Sequence, residues 1–363
     1  MLKILQTLAS LPTFYFFRRR LHSASDGFWR RKVGGRALEV DGRVLNPRAQ
    51  AYIAFQSKMS KPLSEVSPQA LRHGFDMSVD FFDGPKAPLT EVREITLPLY
   101  GRDIGARCYS DKATASGRPL ILYFHGGGFV IGSLKSHDRF CRNLAKTSRC
   151  DVISVDYRLA PEHKMPAAFD DAIDSWDWLQ ENAGHLGIDP AKISVAGDSA
   201  GALLAVLVAA EVSKRRDAQM PLALGLIYPP MPEKPETNSR ALLGQEQIVL
   251  TSELLDWFAG HFSPENPKKH AHRLRFLEEA VAGRIPPTWI LTCGFDPLRD
   301  DGQMMAERLQ VLEAEVKIQE YDDLYHGFIT LSGIFPQVNT LITDMSAFIG
   351  TELDRQRLQI AAE

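Results

Sequence analysis

The chain has 363 residues, of which 44% are hydrophobic and 24% are charged, and its net charge at neutral pH is −3. This composition is that of an ordinary globular protein, long enough for one large domain or for a domain with a sizeable insertion. The small negative charge argues against a nucleic-acid-binding surface. The four cysteines lack C-x-x-C spacing, so we interpret them as reduced thiols, buried or half-buried.

The first predicted element is an apolar stretch near the N-terminus, residues 4–17. Polar residues and Pro12 interrupt it, so it is too short and too broken to span a bilayer. Three arginines at positions 18–20 follow the apolar run, which is the wrong order for a secretory signal. We therefore expect an amphipathic helix that packs on the body of the protein, with weak contact to a membrane surface as the alternative. A cytoplasmic location is the default expectation.

Helices are predicted for the remainder of residues 1–90. Two of them begin at a polar residue followed by proline, Asn46-Pro47 and Ser67-Pro68, which is a typical helix start. Apolar residues then recur at helical spacing and form faces too extensive for free surface. These residues are Ala51, Tyr52, Phe55 and Met59 in the first helix and Leu71, Phe75 and Phe82 in the second.

From about residue 93, short apolar runs alternate with helical patterns. The predicted strands are 94–99, 106–109, 120–124, 152–156, 193–195, 222–228, 288–293 and 316–321. The predicted helices between and after them are 139–147, 167–181, 200–215, 302–314 and 337–358. Strands that are rich in β-branched residues and alternate with helices favour an α/β fold, with a mostly parallel eight-stranded sheet covered by helices on both faces.

One long segment interrupts this alternation, between the strand that ends at Tyr228 and the strand that starts at Thr288. It is too long for a simple connection. It starts with four closely spaced prolines at positions 229, 230, 232 and 235, and a helix candidate at 252–262 carries Trp257 and Phe258. We interpret it as an insertion that packs beside the N-terminal helices as a cap. The predicted organisation is an extension with cap helices (1–90), a first core part (91–228), a cap insertion (229–285) and a second core part (286–363).

A serine between two glycines, Gly197-Asp198-Ser199-Ala200-Gly201, lies between a predicted strand and a predicted helix. This spacing matches G-x-S-x-G, a sharp turn that presents a nucleophilic serine at the carboxyl edge of a sheet. The glycines allow strand and helix to approach closely, and the helix N-terminus puts positive partial charge beside the reacting oxygen. A plain glycine turn is the alternative, which the strand before and the helix after disfavour.

Three glycines, in His125-Gly126-Gly127-Gly128, follow the predicted strand 120–124. Bare glycine N–H groups can approach a ligand closely, as an oxyanion hole for acyl transfer requires. We predict that the N–H groups of Gly126, Gly127 and Ala200 form this hole. A flexible turn is the better interpretation of three glycines alone, but not of three that precede such a serine.

A serine hydroxyl needs a general base, and in a G-x-S-x-G protein the histidine follows the serine in the chain. Four histidines qualify: His261, His270, His272 and His326. The first three lie in or just after the proposed insertion, where solvated surface is the better interpretation. His326 follows the last predicted strand, whose loop can reach back over the sheet, so it is the predicted base.

The base needs an acid that orients it, and Asp296 follows the predicted strand 288–293. Asp300 and Asp301 are rivals, but they lie at the start of the next helix, where carboxylates commonly act as N-terminal caps. Asp322 and Asp323 follow the last strand, and we expect them to be solvated.

Taken together, HGGGF at 125–129, GDSAG at 197–201, DPLRD at 296–300 and HGF at 326–328 resemble the bacterial hormone-sensitive-lipase family of esterases. The similarity spans about residues 95–350 and includes YRLAPE at 157–162. It implies an α/β-hydrolase fold with a helical cap, and a serine carboxylesterase for short- to medium-chain acyl esters that needs neither cofactor nor metal. It also implies Ser199 as nucleophile, Asp296 as acid, His326 as base, and Gly126, Gly127 and Ala200 as oxyanion donors.

Alternatives stay open beside this interpretation. Arylacetamide deacetylases are also similar and carry a membrane-anchoring N-terminal segment, so hydrolysis of amides as well as esters is one alternative. Plant gibberellin receptors resemble the family but lack the histidine, so a non-catalytic small-molecule receptor is another, which His326 disfavours. A carbon–oxygen lyase on the same scaffold is a third. The predicted partners are a small ester substrate and a second copy of the chain, paired through the strand 316–321 and the last helix.

Overall fold

An eight-stranded sheet lies at the centre of the computed structural model, which describes residues 23–34, 36–59, 61–111, 116–245 and 248–362. The predicted N-terminal amphipathic helix, residues 4–17, lies outside these residues. The strands are β1 Glu39–Val40, β2 Arg43–Val44, β3 Glu91–Leu99, β4 Arg102–Ser110, β5 Arg118–Phe124, β6 Asp151–Val155, β7 Ile188–Asp198, β8 Leu224–Ile227, β9 Thr288–Phe295 and β10 Val316–Tyr325. The first two form a separate antiparallel ribbon.

The large sheet has the order β10-β9-β8-β7-β5-β6-β4-β3 and contains all eight predicted strands. β4 pairs antiparallel with β3 and β6, and every other pair is parallel. The predicted α/β class with a mostly parallel sheet is therefore confirmed. β7 starts at Ile188 rather than at 193, because residues 188–192 continue towards Arg118 across a register shift. The prediction missed this part because Asp189 and Pro190 are poor strand formers.

Helices cover both faces of the sheet. They are α1 Asp26–Lys32, α2 Pro47–Met59, α3 Pro68–Phe82, α4 Asp138–Ser148, α5 Ala167–Asn182, α6 Ala200–Ser213, α7 Asn238–Leu243, α8 Ser252–Phe262, α9 Pro267–His270, α10 Arg299–Val311 and α11 Gln337–Ala362. α5, α6 and α10 pack on one face, and α4 and α11 pack on the other. In α6 every residue except Glu211 is buried, so this helix is part of the core. None of the helices in the described ranges is both long and apolar enough to cross a bilayer.

All four cysteines are buried and free, as their spacing predicted. Burial raises the pKa of the Cys108 thiol to about 11, and it also raises the pKa of Cys141 and Cys150. A thiol whose ionisation is suppressed in this way is a poor nucleophile. The cysteines therefore serve as small core residues.

The helix α2 packs against the carboxyl end of β10. Tyr52 is buried and stacks on Tyr325 with ring centroids 6.1 Å apart, and Phe82 of α3 packs edge-on against Tyr52 at 5.2 Å. Phe55 remains 41% exposed, so only part of the predicted apolar face of α2 is covered. The side chain of Met59 lies outside the described residues.

Polar contacts fix α3 against the loops that follow β5 and β6. Arg72 donates to the carbonyl oxygens of Val130 and Ala160, both at 2.7 Å, and to the carboxylate of Glu162. Further contacts along the helix join Asp76 to Ser133, and Asp80 to Lys135 and Arg139. Because these partners recur at helical spacing, one face of α3 is held over its whole length.

We predict that the contribution of Glu162 to stability depends on pH. The hydrogen bond and charge of Arg72 lower the pKa of Glu162 from its ordinary 4.5 to about 2. A carboxyl group with a depressed folded-state pKa stabilises the protein fully above its unfolded-state value, and this contribution is lost as the pH falls towards 2. The carboxylate is 42% exposed, so solvent screening keeps the contribution to about 1 kcal/mol.

The measurement is urea unfolding of wild type and Glu162→Gln between about pH 3 and pH 7. The difference in unfolding free energy should shrink as the pH falls. Glu278→Gln changes an exposed glutamate in the same way and is the matched control. A Glu162→Gln difference that stays constant over this range would contradict the prediction.

Candidate active site

Four loops meet at one edge of the sheet, and each follows the carboxyl end of a parallel strand. Ser199 follows β7, Asp296 follows β9, His326 follows β10, and the glycines 126–128 come just after β5. Since parallel strands end at the same edge, the topology alone brings these sequence-distant residues together.

Ser199 occupies a strained turn between β7 and α6. Its φ of 53° and ψ of −122° are rare for a residue with a side chain, and its N–H donates to the carbonyl of Ile227 at 2.8 Å. The flanking glycines have the predicted role. A Cβ on Gly197 would lie 2.4 Å from backbone atoms of Gly201, and one on Gly201 would lie 2.0 Å from the carbonyl oxygen of Phe124.

Three predicted residues form a chain of hydrogen bonds. His326 Nε2 lies 2.8 Å from Ser199 Oγ, and His326 Nδ1 lies 2.7 Å from Asp296 Oδ2. A carboxylate can only accept, so Nδ1 carries the proton and the lone pair of Nε2 faces the serine hydroxyl. This arrangement can remove a proton from Ser199.

The surroundings hold the acid and the imidazole in place. Asp296 is completely buried, and its second oxygen accepts from the N–H of Leu298 at 2.8 Å. The ring of Tyr228, also buried, lies 4.3 Å from the imidazole of His326. Both residues of the Asp296–His326 pair therefore keep a defined orientation.

The structure contradicts one of the three expected oxyanion donors. The N–H of Gly126 donates to Asp198 Oδ1 at 2.9 Å, so it is not available to a substrate. Among the described residues, the N–H groups of Gly127 and Gly128 meet no acceptor, and Ala200 opens α6, where N–H groups lack helical partners. Sequence reasoning did not single out the N–H of Gly128, because three consecutive glycines do not show which N–H groups are already used.

Asp300 and Asp301, the rival candidates for the acid, do not cap the next helix as predicted. The N-cap position of α10 is Leu298, so neither Asp300 nor Asp301 is a capping residue. The buried Asp301 accepts two hydrogen bonds from Arg240, at 2.8 and 2.6 Å, and Asp300 accepts from the N–H of Ser239 at 2.8 Å. These two carboxylates attach the inserted segment to the core beside the acid loop.

The other candidate histidines lie away from the serine. His261 on α8 has Nδ1 2.8 Å from the carbonyl oxygen of its own helix at Trp257. His270 is half-buried and His272 is exposed. The imidazole that faces Ser199 is that of His326.

The two aspartates near the end of β10 differ from each other. The side chain of Asp322 is 79% exposed, in agreement with the expectation of a solvated residue. Asp323 is half-buried and accepts from the side-chain amide of Asn46 at 2.8 Å, so the expectation was wrong there. Its partner comes from the start of α2, which no local sequence signal could reveal.

Sequence reasoning also missed a buried polar cluster directly behind the site. Asp198 is buried beside His137 and Tyr123. Burial raises the pKa of Asp198, but the charge and hydrogen bond of His137 and the hydroxyl of Tyr123 outweigh it, so that the pKa lies below its ordinary value. The available signal was the charged residue at the first x of G-x-S-x-G, close behind the apolar residues Val195 and Ala196.

Comparisons with known proteins agree with this geometry. Residues 121–330 match a family described as having the alpha/beta hydrolase fold. The chain is 30% identical over 331 residues to carboxylic ester hydrolase LipN of Mycobacterium tuberculosis, covering 87% of this chain and 86% of that protein. It is 31% identical over 304 residues to ethyl acetate hydrolase of Pseudomonas putida, covering 81% of this chain and 95% of that protein.

Solved structures show the same likeness. An ester hydrolase from the metagenome of Lake Arreo superposes with a TM-score of 0.79 at 31% identity, covering 85% of this chain and 99% of that one. An esterase of the archaeon Pyrobaculum calidifontis superposes with a TM-score of 0.78 at 32% identity, covering 85% of this chain and 98% of that one.

We predict that Gly201→Ala destabilises the fold. The added Cβ would lie 2.0 Å from the carbonyl oxygen of Phe124, which is backbone and cannot turn aside. We expect the free energy of unfolding to fall by about 3 kcal/mol, measured by urea denaturation. Gly260→Ala in α8 is the matched control, since its Cβ meets open space and should stabilise the helix by about 0.5–1 kcal/mol. Equal effects of the two substitutions would refute this account of the turn.

Proposed function

Because the chain belongs to the α/β-hydrolase family and is a carboxylic ester hydrolase of the hormone-sensitive-lipase type, we propose that it cleaves esters through an acyl-enzyme formed on Ser199. The single observation that carries this proposal is the chain of hydrogen bonds from Ser199 through His326 to Asp296. The proposed roles are nucleophile, base and acid, respectively.

In the first half of the proposed reaction, Ser199 Oγ forms a bond to the ester carbonyl carbon and its proton passes to His326 Nε2. The carbonyl π electrons move to the oxygen, which becomes an oxyanion. Asp296 stabilises the imidazolium by accepting from Nδ1. When the tetrahedral intermediate collapses, the C–O bond breaks and His326 gives the proton to the leaving alcohol.

In the second half, water replaces the alcohol beside His326. Nε2 takes a proton from the water as it attacks the acyl carbon, and the same proton returns to Ser199 Oγ when the acid leaves. The free enzyme is regenerated, and neither step needs an electron donor or acceptor.

We propose that the N–H groups of Gly127, Gly128 and Ala200 donate to the oxyanion. Gly128 thus replaces Gly126 in the set predicted from the sequence. Gly127 has a φ of 125° and Gly128 a φ of 59°, so the loop adopts backbone conformations that suit glycine. Preorganised donors of this kind are worth several kcal/mol at the transition state.

We also propose that α3 and α8 form a cap over this site and that the cap favours short acyl chains. The glycines at 126–128 and the residues up to Ile131 form one loop after β5, which we call the oxyanion loop. Apolar residues from both helices pack around it: Leu71, Phe75, Leu254, Leu255, Trp257 and Phe258 with Val130 and Ile131. A Cβ on Gly128 would lie 2.5 Å from the ring of Phe258, so this ring rests directly on the loop. A ring in this position limits the apolar space in which a long chain could bury its methylenes, at about 0.8 kcal/mol each.

Three further expectations stay predictions: pairing of two copies through β10 and α11, weak membrane contact of residues 1–20, and a cytoplasmic location. The first is supported by the position of β10 as the outermost strand at one end of the sheet. Ile318 on this strand is 37% exposed. An open strand edge of this kind offers backbone groups to a second copy.

We predict that Ser199→Ala abolishes turnover of p-nitrophenyl acetate without loss of folding, because only the hydroxyl is removed. An organophosphate should add one adduct to wild type and none to Ser199→Ala, as measured by intact-protein mass spectrometry. Circular dichroism of both proteins is the folding control. Turnover near the wild-type rate in pure Ser199→Ala would rule out the proposed nucleophile.

We predict that Phe258→Ala shifts the substrate preference towards longer acyl chains. The ratio of kcat/KM for p-nitrophenyl octanoate to that for the acetate should rise about 10-fold, which corresponds to burying roughly two more methylenes. Phe55→Ala, the same change at a residue 41% exposed on α2, is the matched control. An unchanged ratio in folded Phe258→Ala would show that the ring does not limit the acyl site.

A further inference from the structure

One buried carboxylate, that of Asp198, links the serine turn to the oxyanion loop. Asp198 directly precedes Ser199, and its Oδ1 accepts from the N–H of Gly126 at 2.9 Å. A Cβ on Gly126 would lie 2.3 Å from Asp198 Oδ2, so the loop backbone lies directly against the carboxylate. The position of the oxyanion donors, which follow Gly126 in the chain, therefore depends on this side chain.

The charge of Asp198 raises an electrostatic problem. The residue is only 4% exposed and sits one position from the nucleophile. A negative charge at this depth opposes the negative charge that develops on the substrate oxygen, and low dielectric strengthens this repulsion. A positive charge on the other side of the carboxylate would offset this repulsion.

The position of His137 indicates where that charge would come from. Its Nε2 lies 3.3 Å from Asp198 Oδ1, and its Nδ1 lies 2.9 Å from Ser136 Oγ. Among the described residues, His137 is the basic side chain at ion-pair distance from the Asp198 carboxylate, and both residues are buried. A positive charge on this imidazole would therefore act on Asp198 with little screening by solvent.

The neighbouring groups are neutral. Burial, followed by the charge of His137, lowers the pKa of His125 to about 4, so that this ring is uncharged at neutral pH. Burial raises the pKa of Tyr123 well above its ordinary value, and its hydroxyl donates to Asp198 Oδ1 at 2.7 Å. Burial also raises the pKa of Tyr157, whose hydroxyl donates to the carbonyl of His125.

We propose that His137 is a positioning residue for ester hydrolysis: as a buried imidazolium it compensates the charge of Asp198, and through Asp198 it holds the oxyanion loop beside Ser199. This inference rests on the proposed function, because it gives the oxyanion loop a part in catalysis. His137 touches no reacting atom, so it acts only through the carboxylate.

The test compares charge changes at nearly constant volume. His137→Gln keeps an N–H donor near Asp198 but removes the positive charge, and it should lower kcat about 10- to 100-fold with KM changed less than about 3-fold. Adding Asp198→Asn to His137→Gln removes the uncompensated negative charge. The double variant should recover at least about 5-fold in kcat relative to His137→Gln. His185→Gln, at an exposed histidine after α5, is the matched control and should match wild type.

Recovery in the double variant supports charge compensation, because a role in packing alone gives no gain from a second substitution. A double variant as slow as His137→Gln, or slower, overturns the proposal. If His137→Gln or the double variant does not fold, the proposal is tested by nitrogen NMR of ¹⁵N-histidine-labelled wild type at pH 7. His137, assigned by through-space contacts to the rings of Tyr123 and His125, should be protonated on both nitrogens. A neutral ring at this position overturns the proposal.

The outcomes also separate this inference from the proposed function. Retained turnover in Ser199→Ala would refute the nucleophile and leave the charge of His137 to be read by NMR. An inactive Ser199→Ala together with fully active His137→Gln would uphold the nucleophile and refute the role of His137.

Discussion

The close approach of three backbones is the constraint on which the rest of the structure depends. The first turn of α6 passes so near the ends of β5 and β7 that no Cβ fits at Gly197 or Gly201. This contact forces Ser199 into its strained conformation and points the N-terminus of α6 at the space above it. The side of α6 that faces away from the sheet is covered by α5 and by Phe276 and Leu277, so the helix is buried all round and carries almost no polar residues.

Two aspartate–histidine pairs lie near Ser199, and they differ in what they face. The pair of Asp296 and His326 meets the serine hydroxyl, where a proton has to move. The pair of Asp198 and His137 lies in the interior, where hydrogen bonds fix both partners. In our proposals, the same two residue types thus supply a mobile proton at the serine hydroxyl and a fixed charge in the interior.

Much of the fold could be predicted from the sequence because its signals are local. The strands are apolar runs, the starts of α2 and α3 carry a polar residue before proline, and the serine turn carries its two glycines. The choice between Gly126 and Gly128 as donors could not be made in this way, since it depends on a carboxylate 72 residues later in the chain. The role of Asp300 and Asp301 was missed for the same reason, because their partners Ser239 and Arg240 come from another segment. Where a residue's partner is distant in sequence, pattern and propensity carry no information about it.

The attachment of the inserted segment has a consequence for how such a protein can diversify. Residues 229–285 leave the core after β8 and return before β9, and near the acid loop they are held by Ser239 and Arg240 bound to Asp300 and Asp301. The triad itself takes no residue from this segment. The segment has further attachments to the core, from Arg273 to Asp170 and from Arg284 to the carbonyl oxygens of Ser213 and Arg215. An exchange of this segment, with the proposed acyl wall at Phe258, would leave the residues of the proposed reaction in place but would have to preserve all of these attachments.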